Sequence, residues 1–332
     1  MVFRTKPQIA LQLIDRVLAN GVRVKAWTAD ELYGRDLAFL DGLEARRQAF
    51  VVEVPVDFHG WVQKPQILRS GPKKKKSGRG RHKKYPRVAR RRPVSEVRNL
   101  LKYSPVFREQ SWQRYRIKDT DKGPEVWEVK WSVFWRKDAA GLPGRRHCLI
   151  VARNVVTKEV KYFVANRVPG ERGVTLRGLL CVAFGRWSIE SCFRQAKEEL
   201  GLDHYQVRGW RCVHRHFILT QLSHLFCARM RQELDDPSGE QLDRLTLEQV
   251  RSAMNTWLSA ADMKPAARKE SFEAELKEQR YHQQRNRQAR KSHTKTRRRR
   301  LTELGIDVDK IKSCIPKKAA TDVPNPCQAN NK

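Results

Sequence analysis

One acidic side chain stands between two cations in residues 186–210, which read RWSIESCFRQAKEELGLDHYQVRGW. On a helix that advances about 100° per residue, Arg186, Glu190 and Lys197 fall within about 40° of one another and share one stripe. A carboxylate flanked by two cations could hold a metal ion beside a phosphate backbone. The alternative is a ladder of ion pairs on a solvated helix, because pairs with this spacing are common and weak. Spacing alone leaves both interpretations open.

The same segment carries a second, apolar stripe at helical spacing. Its members are Ile189, Cys192, Phe193, Ala196 and Leu200. Such a stripe is typical of a helix that packs on a core. We therefore expect Glu190 to lie at the border between a buried face and solvent.

The spacing Arg186-x3-Glu190-x6-Lys197, followed by GLDHYQVRGW, resembles the third catalytic block of bacterial insertion-sequence transposases of the DDE group. Their fuller pattern reads Tyr-x2-Arg-x3-Glu-x6-Lys. Ala183 stands at the tyrosine position, which puts that tyrosine's phosphate contact in question. The resemblance implies an α/β fold with an RNase-H-like core that cleaves DNA and transfers strands. It also implies that Arg186, Arg194 and Lys197 contact DNA and that Glu190 is catalytic and binds metal.

The first 56 residues show an alternating α/β pattern. Apolar periodicity predicts a helix over 7–20 and a strand over 22–29, then a helix over 36–47 and a strand over 50–54. Asp30 follows the first strand, within TADELYG at 28–34, and this segment resembles the second acidic block of the same family. The resemblance makes Asp30 the second catalytic and metal-binding acid. The alternative is an aspartate that only caps a loop.

The implied cofactor is a pair of Mg²⁺ or Mn²⁺ ions, which prefer oxygen ligands and in this chemistry need three carboxylates. Asp30 and Glu190 would supply two of them. The first acid of the family lies on the opening strand of the core, but upstream of Asp30 the only acid is Asp15, in the middle of a helix. We therefore expect an N-terminally truncated transposase that lacks three core strands. It would be inactive alone and completed by an upstream transposase fragment.

The formal net charge of +33 indicates a polyanionic partner. Residues 69–92 contain 13 Lys or Arg and residues 280–300 contain 10, and neither stretch contains an acid. The DNA-binding residues expected in the first stretch are Lys73, Lys74, Lys75, Lys76, Arg90, Arg91 and Arg92. The expected DNA comprises the element's terminal inverted repeats and its target, bound by a homodimer.

Five segments are expected along the chain. They are core strands and helices at 1–56, a basic mobile loop at 57–94, a β-rich insertion at 95–170, the Glu190 helix with a packing helix at 171–235, and a helical basic arm with a disordered tail at 236–332. Within the insertion, residues 127–135 alternate tryptophan or valine with polar residues, which predicts a half-buried strand. Its tryptophans would pack within the sheet or stack on extruded bases.

Other features limit the location. No run approaches 18 apolar residues, and MVFRTKPQIA lacks the apolar core of a signal peptide. The 7 cysteines are odd in number and form no C-x-x-C pair, which favours a reduced protein. We expect a cytoplasmic protein associated with the bacterial nucleoid.

Two other functions stay open at this point. The chain could be a non-catalytic protein that binds nucleic acid through its basic runs alone. It could also be a different RNase-H-like enzyme, such as an integrase or nuclease.

Overall fold

A computed structural model describes residues 3–70, 85–89, 93–171, 173–234, 245–261 and 263–315. The chain divides into two compact units. Unit 1 contains residues up to Thr120, Pro124–Arg186 and the residues from Gly305 onward. Unit 2 contains Asp121–Gly123 and Trp187–Leu304.

Unit 1 is built on a mixed sheet of nine strands in the described ranges. The strands are β1 (Trp27–Ala29), β2 (Phe50–Val54), β3 (His59–Trp61), β6 (Ser95–Glu96), β7 (Gln113–Thr120), β8 (Gly123–Lys137), β9 (Pro143–Asn154), β10 (Val160–Ala165) and β11 (Lys312–Ser313). Two more short strands, β4 (Ile67–Leu68) and β5 (Arg87–Val88), pair separately. The sheet order is β1-β2-β10-β9-β8-β3-β6, with β7 pairing with β8 and β11. β1 runs parallel to β2, whereas β2, β10, β9, β8, β3 and β6 are antiparallel in succession.

The helices of unit 1 cover both faces of this sheet. They are α1 (Lys6–Ala19), α2 (Glu31–Gly34), α3 (Leu37–Ala45), α4 (Val97–Tyr103), α5 (Pro105–Arg108) and α6 (Leu176–Gly185). Apolar residues of α1, α3, α4 and α5 join one buried cluster, and those of α6 join the other. Successive side chains of β2 point to opposite faces of the sheet, so Val52 belongs to the first cluster and Val51 to the second. This mixed α/β arrangement is compatible with an RNase-H-like fold.

Most predicted elements of the first 56 residues are confirmed. α1 begins with a capping box between Thr5 and Gln8, and Gly21 follows its end at φ 75°. α3 begins directly after its N-cap, Asp36, whose side chain accepts a hydrogen bond from the Phe39 amide. The predicted strand over 22–29 is shorter in the structure, because only Trp27–Ala29 pairs with a neighbour.

The prediction that residues 127–135 form a half-buried strand is wrong in one respect. They lie in β8, but the polar side of that strand is also buried at Glu128, Lys130 and Ser132. Glu128 accepts hydrogen bonds from Arg153 at 2.6 Å and Arg114 at 3.4 Å. Polar groups can be buried at little cost in free energy when they are hydrogen-bonded. The prediction placed this side of the strand in solvent because its residues are polar, and it was therefore wrong.

Two of the tryptophans of β8 pack in the protein interior, which favours the packing role over base stacking for them. Trp127 is buried in the cluster formed with α6, and Trp131 packs against the same cluster. The Trp127 ring lies 4.9 Å from that of Phe184.

Unit 2 is helical. Its helices are α7 (Trp187–Glu198), α8 (Trp210–Leu234), α9 (Leu247–Ser259) and α10 (Pro265–Glu303). The packing helix expected within 171–235 corresponds to α8, and the helical arm expected within 236–332 contains α9 and α10. A small core of Cys227, Leu247 and Val250 joins α8 to α9.

The described residues include no helix that is both long and apolar enough to cross a membrane. The five-segment division of the chain stays a prediction. Strands from its first and third segments share one sheet, since β2 pairs with β10.

Candidate active site

Asp30 lies directly after β1, where the parallel pair of β1 and β2 ends. It is the N-cap of α2, and its Oδ1 accepts a hydrogen bond from the Leu32 amide at 3.1 Å. Its main-chain oxygen accepts hydrogen bonds from the amides of Tyr33 and Gly34. The carboxylate is therefore held at the strand end by the helix it caps. Capping uses one carboxylate oxygen, Oδ1, and a carboxylate has two oxygens that can bind a metal ion.

Gly34 allows the short helix α2 to approach β2 closely. A Cβ atom at this position would lie 1.9 Å from the main-chain oxygen of Glu53 and 3.0 Å from its carbonyl carbon. The preceding residue, Tyr33, packs its ring 5.3 Å from that of Phe39. The Tyr-Gly pair of the TADELYG segment thus fixes α2, and with it Asp30, against the sheet.

Glu190 and Lys197 both lie in α7, seven residues apart and therefore on one face of that helix. Arg194 follows Glu190 by one helical turn and falls on the same face. All three side chains are exposed. This face of α7 therefore carries one carboxylate and two cations at the protein surface.

The prediction that the apolar stripe beside Glu190 faces a core is wrong for its first half. Ile189 is 48% exposed and Phe193 is 50% exposed, whereas Ala196 is buried. Helical periodicity identifies an apolar face, but it does not show what covers that face.

Arg186 is the residue after α6, with helical φ and ψ of −52° and −38°, and is half-buried. α7 begins one residue later. Ala183, at the position of the family tyrosine, is buried in the core of unit 1, and the ring of the next residue, Phe184, lies 5.4 Å from that of Phe163. No phosphate contact can come from the Ala183 side chain.

The two candidate metal ligands lie in different units, Asp30 in unit 1 and Glu190 in unit 2. Both supply the carboxylate oxygens that Mg²⁺ and Mn²⁺ prefer. In the part of the chain that the structure describes, no group of three or more His, Cys, Asp or Glu residues could hold a metal ion. The donor types fit a divalent ion, and their convergence on one ion stays a prediction.

The basic residues predicted at Lys73, Lys74, Lys75, Lys76, Arg90, Arg91 and Arg92 lie outside the described residues. Their part in DNA binding stays a prediction.

Sequence reasoning missed a cleft of about 420 Å³ in unit 2. Arg194, Glu198, Glu199 and Glu248 are among its lining residues. Burial, together with the nearby charge of Glu248, raises the pKa of the Glu199 carboxyl, although Arg251 lies 3.3 Å away and opposes the shift. The sequence contained little signal for this cleft. Glu198 ends α7, Glu199 follows it and Glu248 lies in α9, so only the packing of the helices brings these acids together.

Residues 1–124 match the family model described as DDE superfamily endonuclease. The matched residues include Asp30 and the β1–β2 pair and end before α7. A search among curated proteins finds no significant match. DDE endonucleases act on DNA and generally use divalent metal ions. The match covers 124 of the 332 residues and shows that this part of the chain is similar to DDE superfamily endonucleases.

Proposed function

We propose that this chain is part of a DNA transposase of an insertion sequence, which cleaves DNA at the element's ends and joins them to target DNA. The observation that carries the proposal is the position of Asp30. It lies in the segment matched by the DDE family model and stands at the end of a strand that is parallel to its neighbour. Its contacts with α2 hold the carboxylate there before any ligand binds.

In this proposal each site residue has a distinct task. Asp30 and Glu190 hold divalent metal, which when bound would stabilise charge on the attacking and leaving oxygens. Lys197 and Arg194 flank Glu190 on α7 and would orient neighbouring phosphates through charge-assisted hydrogen bonds. Arg186, just before α7, would contribute a further guanidinium.

We further propose that an upstream transposase fragment supplies the third carboxylate. β1 is an edge strand of the sheet in the described ranges, so its outer edge is open to another strand. A strand added there would lie beside the one that ends at Asp30. The complete assembly would be a homodimer on the terminal inverted repeats.

The test is cleavage of a duplex that carries the element's ends, with Mg²⁺ or Mn²⁺, by the chain mixed with the upstream fragment. We expect Asp30→Asn and Glu190→Gln each to lower the rate by about 1,000-fold, because several kcal/mol of charge stabilisation are lost. Asparagine caps helices as well as aspartate does, so Asp30→Asn should keep α2 intact.

Asp36→Asn is the matched control, since Asp36 is the N-cap of α3 as Asp30 is the N-cap of α2, and each side chain accepts a hydrogen bond from an amide of the first turn. It should leave the rate unchanged. Full activity of the Asp30 or Glu190 variant would reject the catalytic assignment. Metal-dependent cleavage by the 332-residue chain alone would reject the need for an upstream fragment.

A non-catalytic DNA-binding protein is the second candidate, favoured by the formal net charge of +33. Glu190→Gln separates the two functions when binding and cleavage are measured together. A catalytic Glu190 predicts lost cleavage with retained binding, whereas a purely binding protein shows no cleavage in either form. A different RNase-H-like nuclease or integrase would lack terminal inverted repeats in the DNA that flanks its gene.

A further inference from the structure

The basic stretch 280–300 forms the second half of one continuous helix, α10. One side of this half packs within unit 2. A Cβ atom on Gly123 would lie 3.1 Å from the Cβ of Arg297 and 3.1 Å from the Cα of Thr294. Arg290 Nε lies 3.1 Å from Asp121 Oδ1, and Leu301 is fully buried. These contacts fix which side of α10 faces outward.

The outward side carries cations and amides within about 120° of the helix surface. We define the α10 basic face as Gln284, Arg285, Gln288, Lys291, Lys295 and Arg299, all of which are exposed. Between 280 and 300 the helix contains no acid, whereas its first half contains Glu270, Glu273, Glu275 and Glu278. The charge is therefore concentrated on one half of the helix. Arg299 Nε lies 3.6 Å from Glu303 Oε1, just beyond this stretch, but such an exposed pair is weak and the face stays net positive.

These side chains are the types that contact duplex DNA. Lysine and arginine bind phosphates and guanine, and glutamine can pair with both adenine groups exposed in the major groove. Residues 280–300 rise about 30 Å along the axis, close to one turn of B-DNA at about 34 Å. A single α-helix fits the major groove of B-DNA, whereas the major groove of an RNA duplex is too narrow.

We propose that the α10 basic face binds double-stranded DNA by lying in or along its major groove. This face includes none of the residues assigned to the candidate active site. The inference rests on the proposed function only for the choice of DNA as the polymer, and it needs no catalysis.

The test compares two variants of the full chain that lose the same charge. Lys291, Lys295 and Arg299 are changed to glutamine in the face variant. Lys264, Lys269 and Lys277, exposed residues at and within the first half of α10, are changed to glutamine in the control. Glutamine is a good helix former, and circular dichroism verifies that both variants keep their helices.

Binding to a DNA duplex of mixed sequence is measured by anisotropy over a range of salt concentrations, with EDTA present to prevent cleavage. Each phosphate contact contributes about 0.9 to the slope of log affinity against log salt. We expect the slope of the face variant to fall by about two to three units and that of the control to change little.

Three results would overturn the proposal. The face variant could bind like the wild type, the control could lose as much as the face variant, or an RNA duplex could bind as tightly and lose as much. None of them bears on the cleavage test of Asp30 and Glu190. A lack of cleavage would in turn leave the binding comparison valid.

Discussion

Replacing Gly34 with alanine should destabilise unit 1 by about 3 kcal/mol, at the upper end of what overpacking costs. The new Cβ would meet the main-chain oxygen of Glu53 at 1.9 Å. β2, which contains Glu53, is paired on both sides, with β1 and with β10, so it cannot move away. α2 must shift instead and would carry its N-cap, Asp30, out of position.

Urea unfolding followed by tryptophan fluorescence measures the loss, and the complemented cleavage assay measures the displacement of Asp30. Gly185→Ala is the matched control, because Gly185 ends a helix in the same unit and a Cβ there meets nothing within 4 Å. That control should be neutral or slightly stabilising. An unfolding midpoint for Gly34→Ala equal to that of the control would contradict the close approach of α2 to β2.

Local signals account for the part of the site around Asp30. The strand before Asp30, the capped helix at Asp36 and the strand over 50–54 were predictable, because capping and alternation involve residues near each other in sequence. In the sequence, only the resemblance of TADELYG to the family's second acidic block indicated that a glycine is needed at position 34. Its physical cause, the oxygen of Glu53, lies 19 residues further along the chain.

Other features could not be predicted because their causes are not local. The polar side of β8 can be buried because its charges find partners. Arg153 donates a hydrogen bond to Glu128, and the Lys130 ammonium lies 4.7 Å from the centroid of the Trp112 ring in a cation–π contact. Phe193 shows the opposite case. It belongs to the apolar stripe of α7 and yet is half-exposed. The charge of residues 280–300 was plain in the sequence, but only the packing of α10 shows which of its cations face outward.

A buried charge cluster joins α3 to strands β8 and β9. Glu44 Oε1 lies 2.7 Å from His147 Nε2, and the other ring nitrogen of His147 lies 2.8 Å from the Arg145 main-chain oxygen. The two ring nitrogens of His147 therefore bridge the Glu44 carboxylate and the main chain of β9. Arg136, which is also buried, pairs with Asp41 and lies 3.8 Å from Glu44.

The acid response of this cluster follows from Glu44. Burial alone would raise the pKa of the Glu44 carboxyl, but the hydrogen bond from His147 and the charges of His147, Arg136 and Arg145 outweigh burial and lower it. A carboxyl with a lowered folded pKa stabilises the protein above its unfolded pKa of about 4.3. That contribution is lost as the pH falls through the folded value.

Glu44→Gln should therefore cost unit 1 about 3 kcal/mol at pH 6, because it leaves buried cations without their carboxylate. The difference in the free energy of unfolding between wild type and variant should reach this value at pH 6. It should shrink as the pH falls below about 4.3, since acid neutralises Glu44 in the wild type as well. Urea unfolding at a series of pH values measures this difference.

Glu159→Gln is the control, because the Glu159 carboxylate is more than half exposed and lies 3.6 Å from Lys161. Its removal should therefore cost less than about 1 kcal/mol. A difference between wild type and Glu44→Gln that stays constant or grows in acid would show that Glu44 is not the charged partner of this cluster.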